Sequence, residues 1–230
     1  MKTLLLWDID GTLINSGGAG MRALRAAIRD AFGIAGTLED IEFAGRTDRW
    51  IMRQIFAKFG IDPAEASFTA CAEAYFAALP REMEAPGARV LPGVRLLLDE
   101  ATSRPGSAQG LLTGNLRRGA QAKLGFHGLW DYFPFGAFAD DGERRDELGP
   151  HALRRARERH GFAFEPAHVW VIGDTPHDIA CARAFGANSL AVTTGTHTAA
   201  DLAFHSPTAL LPDLSDPSAF WAAIDGRAKG

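Results

Sequence analysis

A short apolar run, Leu4 to Trp7, ends at two aspartates that lie one residue apart, Asp8 and Asp10. In a β-strand alternate side chains point to the same face, so both carboxylates would point one way. Two like charges held so close are costly unless a cation or a shared proton relieves them. The segment therefore predicts a buried strand that brings paired acids to a sheet edge. Mg²⁺, which prefers carboxylate oxygens, would relieve the repulsion there.

A turn after an edge strand is the simpler interpretation of Asp10-Gly11-Thr12, because Asp and Gly are common turn residues. A second apolar run far along the chain weakens it, since that run also ends at an acid, Asp174. Thr175 suits the N-cap of a helix and Pro176 suits its first position, so we predict that a helix starts here. Asp178 then lies in the first turn of this helix and faces the strand end.

A third apolar run ends in neutral polar groups, Thr113, Gly114 and Asn115. A hydroxyl can donate a hydrogen bond to phosphate without adding negative charge, and glycine allows close approach of the backbone. We therefore predict that Thr113, Gly114 and Asn115 bind a phosphate group.

Short apolar runs alternate with helical segments in most of the chain, and further strands are predicted near residues 190–193 and 209–211. This pattern is typical of an α/β fold with a Rossmann-like parallel sheet covered by helices on both faces. Ligands of such sheets bind beyond the carboxyl ends of the strands. The three polar strand ends are expected to meet there.

Residues 16–86 differ, because their apolar residues repeat with helical spacing and no strand-like alternation interrupts them. We predict an all-helical insertion over 16–86 and an α/β core made of 1–15 and 87–230. The glycine-rich segment 17–20 lacks the Gly-Lys-Ser or Gly-Lys-Thr ending of a phosphate-binding loop, so a hinge is favoured, with 85–87 as its partner.

The ordered motifs at Asp8 to Thr12, Thr113, and Gly173 to Asp178, with a basic residue before the last, resemble the haloacid dehalogenase superfamily of phosphohydrolases. The resemblance covers nearly the whole chain and is strongest to the phosphoglycolate phosphatase-like branch. It implies a Mg²⁺-dependent phosphatase and identifies the helical insertion as a mobile cap domain.

The basic position departs from this branch, which usually has lysine followed by proline. The corresponding stretch contains two arginines, Arg144 and Arg145. The spacing to Asp174 favours Arg145, while a one-residue slip would select Arg144. Arginine can bind phosphate bidentately but does not match lysine in reach or geometry.

The resemblance also implies the chemistry. Asp8 would attack the phosphorus of a phosphomonoester and form an aspartyl-phosphate, and Asp10 would act as acid and then as base. Thr113 and Arg145 would hold the transferred phosphoryl group. Mg²⁺ would be held by carboxylates and one backbone oxygen, namely Asp8, Asp174, Asp178 and the main-chain oxygen of Asp10.

Two alternatives remain open from the sequence. A sugar phosphomutase of the same superfamily would use the same core residues, although the insertion shows no clear copy of the basic and histidine residues of such caps. A non-catalytic module that binds phosphorylated ligands is the other, and the intact acids count against it. Asp10 argues against a dehalogenase, whose branch lacks the second acid.

The expected partner is a small phosphorylated metabolite. The net charge of −4 and the absence of a basic cluster argue against nucleic acid and membrane partners. No apolar segment is long enough to span a bilayer or to serve as a signal peptide, so a cytoplasmic location is expected. The loop before the second helix of the insertion carries Arg46, a candidate contact for a second anion of the substrate. An exposed charge without that role is at least as good an interpretation of Arg46.

Overall fold

Parallel strands alternate with helices in the structure, a computed structural model that describes residues 2–226. The strands are β1 (Thr3–Trp7), β2 (Ile14–Ser16), β3 (Ala88–Val90), β4 (Ser107–Leu112), β5 (Gly136–Ala137), β6 (Val169–Gly173), β7 (Asn188–Val192) and β8 (Ala209–Leu211). Six of them form one sheet in the order β5-β4-β1-β6-β7-β8, and all neighbours in it are parallel. The predicted α/β fold with a parallel sheet is confirmed.

Helices follow most strands of this sheet. They are α1 (Ala19–Phe32), α2 (Asp48–Phe59), α3 (Glu65–Met83), α4 (Val94–Ser103), α5 (Arg117–Phe126), α6 (Leu148–His160), α7 (Pro176–Ala184), α8 (Ala199–Phe204) and α9 (Pro217–Gly226). Single 3₁₀ turns lie at Trp130–Tyr132, Arg145–Glu147 and Pro166–His168. Helix α7 begins at Pro176 with Thr175 as its N-cap, as predicted.

The central strand β1 is covered on both faces. Leu5 and Trp7 join one apolar cluster, which includes side chains of α4, α5 and α9. Leu4 and Leu6 join a second cluster with side chains of α6 and α7. Successive side chains of a strand point to opposite faces, so a strand covered twice needs apolar residues throughout. This explains why the run from Leu4 to Trp7 shows no polar alternation.

The strand order reverses at β1, which lies between β4 and β6. Trp7 is paired with Leu111 of β4 and with Ile172 of β6. The residues that follow these three strands therefore emerge side by side at one edge of the sheet. Such a switch point is the usual ligand-binding position of an open parallel sheet.

Helices α1, α2 and α3 occupy the predicted insertion, and residues 19–83, all of which are described, contain no strand. Strands β2 and β3 form an antiparallel ribbon at its two ends, with Ser16 opposite Ala88. A Cβ on Gly17 would crowd the backbone of Gly87. The two predicted hinge segments are thus in contact, while the division into two domains remains a prediction.

Short elements escaped the sequence analysis. Strand β5 has two residues, and β2 and β3 have three each. Segments of this length are too short to show a hydrophobic period, and only pairing with a neighbour defines them. No helix within residues 2–226 is long and apolar enough to cross a membrane.

Candidate active site

Polar side chains lie at the carboxyl ends of the three central strands. Asp8 follows β1, Thr113 follows β4 and Asp174 follows β6. Backbone bonds extend the sheet past these ends: the Asp8 N–H donates to the Ile172 carbonyl at 2.9 Å, and the Thr113 N–H donates to the Ala137 carbonyl at 3.1 Å. Hydrogen bonds of the sheet therefore fix the backbone at Asp8 and Thr113.

Asp8, Asp174 and Asp178 form a buried acidic cluster. One carboxylate oxygen from each lies within 4.8 Å of the others. Asp174 is packed tightly against backbone, since a Cβ on either Gly11 or Gly195 would overlap its carboxylate. These two glycines allow the backbone to approach the acid closely.

Nearby cations only partly balance the charge of the acidic cluster. Burial raises the pKa of Asp8 to about 6, even though the charge of Arg145 lowers it. Burial, followed by the charges of Asp178 and Asp8, raises the pKa of Asp174 well above its ordinary value. A divalent cation would relieve this repulsion, and three carboxylates are the donor type that Mg²⁺ prefers. The residues present thus fit a hard divalent cation.

Arg145 is the arginine that reaches the acids. Its Nη2 lies 2.8 Å from Asp8 Oδ1 and 2.5 Å from Asp178 Oδ1, and its side chain is only 6% exposed. Arg144 instead pairs with Asp146 on the surface, with its side chain 70% exposed. The geometry favours Arg145 over Arg144 for the basic position.

The Asp178 carboxylate connects Arg145 to the start of α7. Its Oδ2 accepts hydrogen bonds from the N–H of Thr175 at 3.0 Å and from the Thr175 hydroxyl at 2.7 Å. Its Oδ1 contacts the Arg145 guanidinium. Asp178 therefore holds the basic residue in place as well as belonging to the acidic cluster.

The loop after β4 contacts both the cavity and the insertion. The Thr113 hydroxyl is fully buried and accepts a hydrogen bond from Asn115 Nδ2 at 3.0 Å. Gly114 lines the cavity and also lies against the insertion, because a Cβ there would overlap the Arg46 carbonyl. The Gly114 carbonyl also accepts a hydrogen bond from the Asp48 N–H at 2.7 Å. Phosphate binding by Thr113, Gly114 and Asn115 stays a prediction.

Asp10 is turned away from the acidic cluster. Its Oδ2 lies 2.5 Å from Lys123 Nζ and accepts a hydrogen bond from Asn115 Nδ2 at 3.0 Å. Desolvation would raise the pKa of Asp10. The charge and hydrogen bond of Lys123, then Asn115 and least of all Ser16, outweigh it and lower the pKa below its ordinary value. We predicted the main-chain oxygen of Asp10, and not its side chain, as a metal ligand. The hydrogen bonds of the Asp10 side chain do not test that prediction.

Asp48, at the start of α2, is a second buried acid near this pair. Its Oδ2 accepts a hydrogen bond from the Leu116 N–H at 2.7 Å. Burial raises the pKa of Asp48 to about 6, although the charge of Lys123 opposes this shift. The insertion is therefore joined to the loop after β4 through a buried carboxylate.

Arg46 lines the same cavity as the acids, but its guanidinium is already paired. Nη2 lies 2.6 Å from Glu42 Oε2, and the guanidinium carbon lies 4.3 Å from the centre of the Trp50 ring. The side chain is 31% exposed. The structure thus shows Arg46 as part of a surface ion pair, and its predicted contact with a substrate anion remains a prediction.

A cavity of about 380 Å³ covers the acids. Core residues and residues of the insertion both line it, including Asp8, Asp10, Asn115, Lys123, Arg145, Asp174, Met21 and Phe43. A volume in this range is typical of sites for small molecules. Thr113 is not part of this lining.

Three contributors to the site were missed by the sequence analysis: Lys123, Asp48 and Gly195. Lys123 could have been noticed, because it shares the apolar face of α5 with Ala120 and Leu124, where a lysine is unexpected. Asp48 and Gly195 carry no such signal. Asp48 reads as an ordinary N-terminal helix residue, and Gly195 lies in a loop far from the acids in sequence.

The chain is similar to known proteins in sequence and in fold. A probable phosphatase, IndB, from Dickeya dadantii (strain 3937) is 28% identical over 222 residues, which cover 94% of this chain and 92% of IndB. A solved structure of a predicted phosphoglycolate phosphatase from Haemophilus somnus 129pt superposes with a TM-score of 0.69 at 17% identity, covering 96% of this chain and 98% of that one.

A structure of a protein proposed to be a β-phosphoglucomutase from Bacteroides vulgatus also has a TM-score of 0.69, at 21% identity, and covers 100% of this chain and 91% of that one. At these identities the two structural likenesses establish the fold alone. The sequence model of the haloacid dehalogenase-like hydrolase family matches residues 5–183, a span that contains the acidic cluster and Arg145. The chain therefore belongs to the haloacid dehalogenase-like hydrolase family.

Proposed function

We propose that this protein is a Mg²⁺-dependent phosphatase that hydrolyses a small phosphorylated metabolite through an aspartyl-phosphate on Asp8. The observation that carries the proposal is the position of the Asp8 carboxylate. It lies at a strand end, 2.8 Å from the Arg145 guanidinium and in one cluster with Asp174 and Asp178. Attack on a phosphate dianion needs positive charge near the nucleophile. Arg145 supplies one such charge, and a cation held by the acids would supply another.

The first half-reaction uses Asp8 and Asp10. An oxygen of Asp8 bonds to phosphorus while the bond from phosphorus to the ester oxygen breaks, and Asp10 gives its proton to the departing alcohol. Arg145 stabilises the negative charge on the phosphoryl oxygens. Its Nε is buried and has no hydrogen-bond partner among residues 2–226.

The second half-reaction returns the enzyme to its starting state. Asp10, now a carboxylate, takes a proton from water as the water oxygen bonds to phosphorus, and the bond to Asp8 breaks to release inorganic phosphate. Mg²⁺ would be held by Asp8, Asp174, Asp178 and the main-chain oxygen of Asp10, and would supply charge stabilisation when bound. Asn115 orients Asp10 in both half-reactions.

A phosphomutase is the second candidate, because it would use the same residues at the strand ends; the protein from Bacteroides vulgatus that shares this fold is proposed to be a β-phosphoglucomutase. A mutase would use the same first half-reaction but would return the phosphoryl group to a sugar phosphate instead of to water. The two candidates therefore differ in the acceptor and not in the residues at the strand ends.

The test is phosphate release from a panel of small phosphomonoesters, with and without Mg²⁺, for the unmodified protein and for Asp8→Asn. The proposal expects release that requires Mg²⁺ and is abolished in the variant. Transfer between sugar phosphates with little release would favour the mutase. Absence of both reactions across the panel would count against both candidates.

A further inference from the structure

Lys123 is a buried cation that the proposed mechanism does not use. It comes from the middle of α5, and its side chain is only 5% exposed. Its Nζ lies 2.5 Å from Asp10 Oδ2 and 2.6 Å from Asn115 Oδ1. Lysine is almost never this buried unless it is paired, so its position calls for an explanation.

Lys123 and Asn115 hold the same oxygen of Asp10. Asn115 Nδ2 donates to Oδ2 at 3.0 Å, and Lys123 bonds both Oδ2 and the Asn115 side chain, which closes a ring of three hydrogen bonds. The other oxygen, Oδ1, is buried, and the Asp10 side chain as a whole is 35% exposed. The two donors on Oδ2 therefore fix the direction of the whole Asp10 carboxylate.

Lys123 contacts polar groups although its face of α5 is apolar. Ala120 and Leu124 on the same face are buried, whereas Lys123 Nζ bonds Asp10 Oδ2 and Asn115 Oδ1. The charge of Asp48 also acts on Lys123. The fold thus places a lysine donor beside Asp10.

We propose that Lys123 is a positioning residue that holds the Asp10 carboxylate in the orientation from which it exchanges a proton with the ester oxygen of the substrate. This inference rests on the proposed phosphatase function, in which Asp10 is the acid. Without Lys123, Asn115 alone of these two donors still holds Oδ2, and the Asp10 carboxylate samples other rotamers. A misplacement of about 1 Å can lower a rate by about 10²-fold.

The proposal is tested with two esters that differ in their need for an acid. Propyl phosphate has a strongly basic leaving group that must be protonated, whereas p-nitrophenyl phosphate has a leaving group that departs without help. The quantity compared is kcat/KM with Mg²⁺, because it reports only the steps up to transfer of the phosphoryl group to Asp8. For Lys123→Met we expect kcat/KM for propyl phosphate to fall about 10-fold or more, since positioned acids contribute about 10²–10⁴-fold. The value for p-nitrophenyl phosphate should change by less than about threefold.

Two comparisons separate positioning from general damage. In an Asp10→Asn background, Lys123→Met should no longer change the ratio of the two kcat/KM values, because the residue that it positions is gone. Lys58→Met is the matched control. It removes a lysine that pairs with Asp40 and does not line the cavity, and it should leave the ratio unchanged. Equal losses for both esters, or an effect that persists in the Asp10→Asn background, would overturn the proposal.

A crystal structure of Lys123→Met gives a readout that does not depend on turnover. The Asp10 carboxylate should leave the position that it occupies beside Asn115, and an unmoved carboxylate would overturn the proposal. Failure of the unmodified protein to release phosphate from these two esters and from every ester of the panel would instead count against the proposed function. The two failures are therefore distinguishable.

Discussion

Asp8 and Asp10 lie one residue apart at the end of β1, yet their surroundings are opposite. Burial, and after it the charges of Asp178 and Asp10, raise the pKa of Asp8 to about 6, with one arginine shared between Asp8 and Asp178. Lys123 and Asn115 lower the pKa of Asp10 against the effect of burial. Two acids of one strand end can thus differ in pKa and in direction, because the neighbours that the fold supplies differ.

The largest effect should come from removing the acid that we assign as nucleophile. Asp8→Asn keeps the size of the side chain but cannot form the aspartyl-phosphate, so phosphate release should fall by about 10⁴-fold or more. Release is measured with saturating ester and Mg²⁺. Asp30→Asn, an exposed acid of α1, is the matched control. Comparable activity of Asp8→Asn and the unmodified protein would remove Asp8 from the mechanism.

Asp48 extends the comparison to the insertion, because its charge is also poorly balanced. A carboxyl group whose pKa is higher in the folded than in the unfolded protein costs stability once it ionises. Between pH 3.8 and about 6 this cost grows with pH, and above about 6 it is complete. Asp48→Asn should therefore raise the free energy of unfolding at pH 7.5 by up to about 3 kcal/mol, and should change it little at pH 3.5.

Urea denaturation of both proteins at the two pH values checks this prediction. Asparagine can still accept the hydrogen bond from the Leu116 N–H, so the gain is not masked by a lost bond. Asp30→Asn again serves as the exposed control. An equal change of stability at both pH values would show that the charge of Asp48 is not the cause.

Mg²⁺ should distinguish the acidic cluster from Asp10. At a concentration of about 100 times its dissociation constant, a ligand that binds only the folded state stabilises it by about 2.7 kcal/mol. The thermal midpoint should therefore rise with Mg²⁺ in the unmodified protein and should not rise in Asp174→Asn. Lys123→Met should keep the rise, because its contacts lie at the Asp10 side chain. If the rise were lost in Lys123→Met but kept in Asp174→Asn, the cation would bind at the Asp10 side chain and not at the acidic cluster.

Arg46→Ala should have the smallest effect on stability. The ion pair with Glu42 is exposed, and pairs of this kind contribute about 0–1 kcal/mol. We therefore expect a decrease of less than about 1 kcal/mol in the free energy of unfolding, measured by urea denaturation. A loss of kcat/KM confined to esters that carry a second anion would show that the guanidinium leaves Glu42 to bind substrate.

The predictable part of the site follows from local patterns. Asp8, Thr113 and Asp174 each follow an apolar run, and the parallel sheet brings the ends of its strands together without further information. Spacing favoured Arg145 over Arg144 but left a one-residue slip open. Both lie in the same short charged stretch, and only packing beneath α7 buries one of them and leaves the other on the surface.

Lys123 marks the limit of such reasoning. It lies on a helix, and helical periodicity assigns a face to it but not a partner 113 residues away. Gly114 shows the same limit. We interpreted its lack of a side chain as space for a phosphate group, but the same space also admits the Arg46 carbonyl of the insertion. Contacts between the core and the insertion depend on how the two pack, which no local pattern describes.

The sequence by itself determined the α/β fold, the helical character of residues 19–83 and the strand ends that carry Asp8, Thr113 and Asp174. These follow from short-range periodicity and from the rule that parallel strands share one edge. Only the tertiary structure decided which arginine faces the acidic cluster and which lysine contacts Asp10. Those choices depend on burial and on charges brought together from distant parts of the chain, because electrostatic interactions gain strength only where folding excludes water.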